Sequence, residues 1–298
     1  MIERDPNSPH NFSIIIGAMK SGTTSLFEVL AQHPEICGAK KKELDYFVKD
    51  NDSDNSEYYA FWDWNKERHS IALEASVAYA KSPYIDGVPA RMIGSDVGKI
   101  RLIYLLRDPI KRIESQVRHG VFAGWGKSID EGIPPDALSF SSYAGQLDQY
   151  LPYFTRDEIF IITLEEFKSN PDLVLEKICK FLDVDETFKF INANEVKNSG
   201  DFFNAPQFVS SMTQGAFGQF IIQHILSPKY KNLIRGFLSK KSAVSGDRDN
   251  NSGRWKLSTA EHAEVLEELS DDLSRLKSEF GVDFYRYWDL TKSEEVNE

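Results

Sequence analysis

The chain has 298 residues, a formal net charge of −11 and a hydrophobic content of 41%, values typical of a soluble globular protein with one large core. The acidic charge weighs against nucleic acid as a partner, and less strongly against a strongly anionic polymer, because a basic cleft can exist on an acidic protein. No apolar run approaches the roughly 18 residues of a membrane span, so none is expected.

The N-terminal segment 1–11 is polar and has no apolar core, so we expect a flexible tail without a secretory signal. Segment 291–298 is expected to be a second flexible tail, which leaves residues 12–290 as a single domain. Cys37 and Cys179 lack metal-binding or redox spacing and are expected to be buried thiols. These features favour a cytoplasmic location.

A strand, a glycine-bounded turn and a helix follow the tail. The apolar, β-branched run 12–16 predicts a buried strand that stops at Gly17, and a helix is predicted over 24–32. This arrangement directs unpaired backbone N–H groups and the positive helix end to one point. The turn therefore predicts a phosphate site.

Gly17 and Gly22 have the spacing of a Walker A loop, but the Lys-Ser/Thr pair expected after the second glycine is absent. Thr23 and Thr24 stand there, and the lysine, Lys20, lies inside the turn. From the turn, a lysine can reach the bridging or sulfuryl oxygen of a 5′-phosphosulfate. The loop therefore indicates sulfuryl transfer, with ATP hydrolysis as the alternative.

Further strands alternate with helices along the chain. Strands are predicted near Ile36 and over 42–47, 71–74, 100–106 and 159–164, and helices over 108–121, 142–154, 170–182 and 259–280. Such alternation predicts an α/β fold: one P-loop-like domain with a central parallel sheet and helices on both faces.

A second motif follows the 100–106 strand. Arg107 emerges at the carboxyl end of a central strand, where open α/β sheets bind ligands. Ser115 lies two helical turns further on, and a guanidinium with a hydroxyl suits a second phosphate. Arg112, between them, is interpreted as a structural ion-pair residue, with a role in binding the ligand as the alternative.

With both motifs in order, the chain resembles the sulfotransferases that use 3′-phosphoadenosine 5′-phosphosulfate (PAPS), especially the carbohydrate and bacterial branch. Segment 17–25 is similar to the family's 5′-phosphosulfate loop and segment 107–115 to its 3′-phosphate site. Segment 42–47 looks like the family's Lys-Glu-x-His-Phe-Phe stretch. Gly253 and Arg254 are similar to its late Lys-Gly-Arg loop, with Ser252 in place of the lysine.

The resemblance implies a role for each matching residue. Lys20 would stabilise the leaving phosphate, and Glu43 would be the general base. The donor PAPS, and its product 3′-phosphoadenosine 5′-phosphate (PAP), would be bound by Lys20, Ser21, Gly22, Thr23, Thr24, Ser25, Arg107, Ser115, Gly253 and Arg254. No metal is needed, because a lysine and a helix dipole can stabilise this transition state.

Two departures from the family pattern concern the acceptor. Asp45 replaces a histidine, and Ala75 replaces a lysine that follows the glutamate at position 74. Both changes make this side less positive, so we expect a neutral or cationic carbohydrate or small-molecule acceptor. The predicted acceptor residues are Asp45, Glu74, Arg118 and His119, of which the last two argue mildly for an anionic acceptor.

Two other functions stay open at this point. A P-loop kinase or nucleotidase would need an acidic Mg²⁺ ligand at a strand end, a position that Asp108 occupies. A non-catalytic nucleotide-binding protein is the other alternative. The sequence leaves the oligomeric state undetermined.

Overall fold

A computed structural model describes residues 7–50, 55–123, 133–191 and 256–290. Contacts divide the chain into two compact units, of which the first comprises Met1–Val117, Glu131–Val196 and Leu257–Glu298. The second comprises Arg118–Asp130 and Lys197–Lys256, and few of its residues are described. The fold below is that of the first unit. The predicted tails and the Gly253-Arg254 loop lie mostly or wholly outside the described residues.

The described residues form a parallel sheet of five strands in the order β2-β3-β1-β4-β5. The strands are β1 (Asn11–Gly17), β2 (Ile36–Gly38), β3 (Ile71–Ala75), β4 (Lys99–Leu106) and β5 (Ile159–Thr163). This α/β architecture confirms the predicted fold class, and each of these strands was predicted. The predicted strand over 42–47 is wrong. Glu43 and Asp45 have left-handed φ angles of 59° and 53°, which an extended strand cannot contain.

Helices connect the strands, and most of the long ones match their predicted positions. Their bounds are α1 (Thr23–Leu30), α2 (Ser56–Tyr59), α3 (Val88–Gly94), α4 (Pro109–Ala123), α5 (Pro135–Ser139), α6 (Tyr143–Asp148), α7 (Leu164–Ser169), α8 (Pro171–Leu182), α9 (Thr259–Glu268) and α10 (Ser270–Ser278). None of these helices is both long and apolar enough to cross a membrane.

Two predicted helices are shorter than expected. The helix predicted over 142–154 ends at Asp148, because Pro152 has no N–H to donate to the carbonyl of that residue. The helix predicted over 259–280 divides at Leu269, whose φ of −94° and ψ of 1° depart from helical values. Ser258 caps α9 in a capping box with Glu261, as its sequence predicts.

Helices cover both faces of the sheet. Ile15, Leu73 and Leu105 pack with residues of α1, α7 and α8 in one apolar core. On the opposite face, the Phe12 ring lies 5.3 Å from the ring of Tyr58 in α2. Alternate residues of a strand face opposite sides of the sheet, so the same strand contributes side chains to the packing on both faces. Cys37 and Cys179 are buried free thiols, as predicted, and burial raises the pKa of Cys179 to about 11.

β1 lies at the centre of the sheet, between β3 and β4. The chain runs from β1 to one side of the sheet to form β2 and β3, and then crosses to the other side to form β4 and β5. The loops after β1 and β4 therefore separate at the carboxyl edge, which is where open parallel sheets form a ligand crevice.

A carboxylate joins the C-terminal helix α10 to α6. Asp272 accepts hydrogen bonds from Ser142 Oγ at 2.7 Å and from the backbone N–H groups of Gly145 and Ala144 at 2.8 and 3.1 Å. Asp272 thus satisfies N–H groups at the start of α6, where a negative charge also opposes the helix dipole.

We predict that Asp272→Ala lowers the stability of the protein by about 2 kcal/mol, the order expected for hydrogen bonds to a charged group. Asp271→Ala is the matched control, because Asp271 is exposed in the same first turn of α10. The melting temperatures should fall in the order wild type, Asp271→Ala, Asp272→Ala. Equal melting temperatures for the two variants would contradict a stabilising role of these bonds.

Candidate active site

The turn between β1 and α1 has two residues in left-handed backbone conformations. Lys20 has a φ of 68° and Gly22 a φ of 88°. A side chain at position 22 would place its Cβ 2.8 Å from Leu164 Cδ1, closer than such atoms approach. Glycine is therefore required by both conformation and space, and the turn can be this tight only with it.

The N-terminus of α1 is open to an anion. No side chain accepts from its first turn, and that turn contains no acidic residue. Ser21 is fully buried, and its Oγ has no hydrogen-bond partner among the described residues. Thr23 and Ser25 are buried and Thr24 is exposed. Backbone N–H groups, a helix dipole and a buried hydroxyl are groups that can hold a phosphate.

Arg107 links the end of β4 to this turn. Its Nη1 donates to the carbonyl oxygen of Lys20 at 2.8 Å, and its own carbonyl accepts from the hydroxyl of Tyr143 at 2.5 Å. Ser115 is buried in α4, with 8% of its surface exposed. The guanidinium therefore lies beside the Lys20 backbone, a contact that the sequence did not predict.

Asp108 has a structural role at the start of α4. Its Oδ1 accepts from the backbone N–H groups of Ile110 and Lys111 at 3.0 and 3.2 Å, and its Oδ2 pairs with Lys111 Nζ at 3.1 Å. Oδ1 thus caps the helix, and Oδ2 is engaged by the Lys111 ammonium. α4 differs in this from α1, whose first turn has no such cap.

Glu43 lies beside the residues that end and follow β3. Its N–H donates to the carbonyl of Ala75 at 2.8 Å, and its Oε2 accepts from the N–H of Val77 at 2.9 Å. Lys42 Nζ pairs with its Oε1, and 36% of the side chain is exposed. The carboxylate is therefore held by the backbone and remains accessible, as a general base must be.

The two acidic acceptor residues differ in exposure. Asp45 is exposed, and partial desolvation and the Glu43 carboxylate raise its pKa. Glu74 is fully buried and accepts hydrogen bonds from the hydroxyls of Tyr58, Tyr79 and Ser76 at 2.5, 2.7 and 2.8 Å. Its carboxylate is not accessible to an acceptor in this arrangement, although the sequence assigned it to acceptor binding.

The other four predicted site residues belong to the second compact unit. Arg118 and His119 are half-buried residues of α4 and belong to the second compact unit. Gly253 and Arg254 lie outside the described residues. Arg112 is fully buried, and its partners are the neutral groups Ser141 Oγ, Gln116 Oε1 and the carbonyl of Ala137, so the predicted ion pair is wrong.

Sequence reasoning missed Lys81, which follows the 3-10 turn Val77–Ala80. It is half-buried, and its Nζ lies 5.6 Å from the centre of the Phe140 ring. Burial lowers the pKa of Lys81, and the carboxylates of Glu43, Asp45 and Asp136 oppose this effect. A single lysine outside any motif has no signal in the sequence, and only the fold brings its charge near that of Glu43.

Comparisons with known proteins agree with this geometry. The family model of the sulfotransferase domain matches residues 11–199, more than half of the chain. The bifunctional heparan sulfate N-deacetylase/N-sulfotransferase 4 of Mus musculus is 26% identical, over 60% of this chain and 23% of its own length. The heparan sulfate glucosamine 3-O-sulfotransferase 5 of Mus musculus is 27% identical, over 58% of this chain and 53% of its own length. The matches thus span about a quarter and about half of these relatives.

A solved structure shares the fold. The sulfotransferase from Alicyclobacillus acidocaldarius has a TM-score of 0.61 and 21% identity, and the match covers 93% of this chain and 98% of that chain. Together with the match to the family model, this shared fold confirms the resemblance drawn from the phosphate motifs, and the chain belongs to the sulfotransferase family.

Proposed function

We propose that this protein transfers a sulfuryl group from PAPS to a hydroxyl or amine of a carbohydrate or small-molecule acceptor. The observation that carries the proposal is the meeting of three components at one edge of the sheet. The uncapped α1 N-terminus follows β1, Arg107 follows β4, and Glu43 is bonded to Ala75 and Val77 at the end of β3.

In the proposed reaction, the acceptor oxygen or nitrogen attacks sulfur in line. A bond forms from this atom to sulfur as the bond from sulfur to the bridging phosphate oxygen breaks, and PAP leaves. Glu43 takes the acceptor proton, since its carboxylate is accessible and held by the backbone. Lys20 and the positive end of α1 would stabilise the charge that develops on the leaving phosphate.

Among the described residues, the acceptor side carries two carboxylates and two lysines. Lys42 pairs with Glu43, and Lys81 interacts with Glu43 and Asp45. The Asp45 carboxylate is exposed, and Ala75 stands where the family pattern has a further lysine. Although some relatives are named for heparan sulfate, the exposed Asp45 carboxylate would repel an anionic glycan. We therefore propose a neutral or cationic acceptor.

The test of function is transfer of labelled sulfate from PAPS in the presence of EDTA, with a panel of neutral sugars, hydroxylated small molecules, amines and heparan sulfate. We expect transfer, with a preference for neutral or cationic acceptors. Transfer to heparan sulfate alone would overturn the charge argument. In a parallel assay with Mg²⁺ in place of EDTA, ATP hydrolysis without sulfate transfer would favour the kinase or nucleotidase. PAP binding without any transfer would favour a binding protein.

Lys20→Ala should lower kcat by a factor of about 10² to 10³, the usual loss when a group that stabilises developing charge is removed. PAP should still bind measurably, because the backbone N–H groups at α1 remain. Lys66→Ala, at an exposed lysine in a turn, is the control and should keep wild-type kcat. Near-full activity of Lys20→Ala would refute the role of Lys20.

Glu43→Gln should lower kcat by a factor of about 10² or more, because the amide cannot take a proton from the acceptor. PAP affinity should stay within about twofold, because the change leaves the phosphate-binding groups intact. Glu67→Gln, at an exposed glutamate, is the control. An unchanged rate for Glu43→Gln would dismiss Glu43 as the base.

A further inference from the structure

The segment that carries the candidate base has an unfavourable backbone. Glu43 and Asp45 both have left-handed φ angles, which L-residues adopt rarely. Residues in such conformations persist only when surrounding contacts hold them. Contacts from outside the segment must therefore determine where the Glu43 carboxylate lies.

Alternate N–H groups of the segment find partners on residues 75–79. Glu43 N–H donates to the carbonyl of Ala75, Asp45 N–H to Ser76 Oγ at 3.1 Å, and Phe47 N–H to the hydroxyl of Tyr79 at 3.3 Å. Two of these three partners are thus side-chain hydroxyls, which can also reverse their direction and act as donors.

Glu74 determines the direction of both hydroxyls. Ser76 Oγ and the Tyr79 hydroxyl each donate to Glu74 Oε1, at 2.8 and 2.7 Å. A hydroxyl has one proton, so a hydroxyl that donates to Glu74 can offer only lone pairs to an N–H group. Glu74 is fully buried, which raises its pKa, and the hydroxyl bonds oppose that rise.

We infer that Ser76 and Tyr79, whose hydroxyls donate to the buried Glu74 carboxylate, are positioning residues for the candidate base. Their hydroxyls hold the 43–47 segment in the conformation that presents Glu43. The catalytic consequence of this positioning rests on the proposed function. The hydrogen bonds themselves do not depend on it. Binding these two hydroxyls takes the place of the acceptor-binding role that the sequence predicted for Glu74.

Tyr58 provides a matched control within the same network. Its hydroxyl donates to Glu74 Oε2 at 2.5 Å, yet it accepts from no N–H group among the described residues of the segment. Tyr58→Phe, Tyr79→Phe and Ser76→Ala each remove one hydroxyl from Glu74. Only the last two also remove a partner of the segment. These variants avoid replacing Glu74 itself, which is buried and whose loss could unfold the protein.

The first measurement is residue-resolved amide exchange by NMR, which needs no activity. Ser76→Ala should speed exchange of the Asp45 amide, and Tyr79→Phe that of the Phe47 amide, by roughly fivefold to tenfold, the effect of one lost hydrogen bond. In Tyr58→Phe, the exchange rates of both amides should stay within about twofold of the wild-type rates. A twofold change is smaller than the effect of losing one hydrogen bond. Unchanged exchange in Ser76→Ala and Tyr79→Phe would overturn the inference.

The second measurement is sulfuryl transfer. Ser76→Ala and Tyr79→Phe should lower kcat by roughly tenfold, since a misplaced catalytic group costs rate, with PAP affinity unchanged. Tyr58→Phe should keep kcat within about twofold of the wild-type value, because the substitution leaves the position of the candidate base unchanged. An equal loss of kcat in all three variants would indicate a merely structural network and overturn the inference. If the variants show the selective changes in amide exchange but the wild-type protein has no transferase activity, the proposed function alone is refuted.

Discussion

Parallel pairing of β1 with both β3 and β4 is the constraint on which the candidate site depends. Because parallel strands end at the same edge of a sheet, the turn after β1, Arg107 after β4 and the residues after β3 come together there. Ser76 N–H donates to the carbonyl of Ile15, and Ala18 N–H donates to that of Leu105, so hydrogen bonds continue beyond the regular strands. Hydrogen bonds to neighbouring strands therefore hold the residues that follow β1 and β3.

The two sides of this edge differ in charge. The α1 N-terminus and Arg107 bring positive charge to the side after β1 and β4. The side after β3 carries the carboxylates of Glu43 and Asp45 together with the lysines Lys42 and Lys81. The side after β1 and β4 is thus complementary to an anionic ligand.

The β3 side is more elaborate than its motif suggests. Glu43 is held by the backbone of Ala75 and Val77, and the same short stretch of chain supplies Ser76 and Tyr79 as partners of Glu74. The hydroxyl of Tyr150, in the turn after α6, donates to the carbonyl of Tyr79 at 2.8 Å. This turn therefore also holds the stretch in place. Glu43, the proposed base, is thus bonded to a stretch of chain that is itself bonded to buried residues.

By itself, the sequence determined the five strands, most of the long helices, the glycine-bounded turn after β1 and the family, because apolar periodicity, glycine spacing and Pro109 act over a few residues. Local signals could not predict the left-handed backbone at Glu43 and Asp45, since hydrogen bonds from residues about 30 positions away hold it. Only the tertiary structure decided that Glu74 is buried, that Arg112 has neutral partners and that Lys81 lies near the carboxylates. Burial and long-range charge depend on which elements pack together, and no spacing along the chain encodes that.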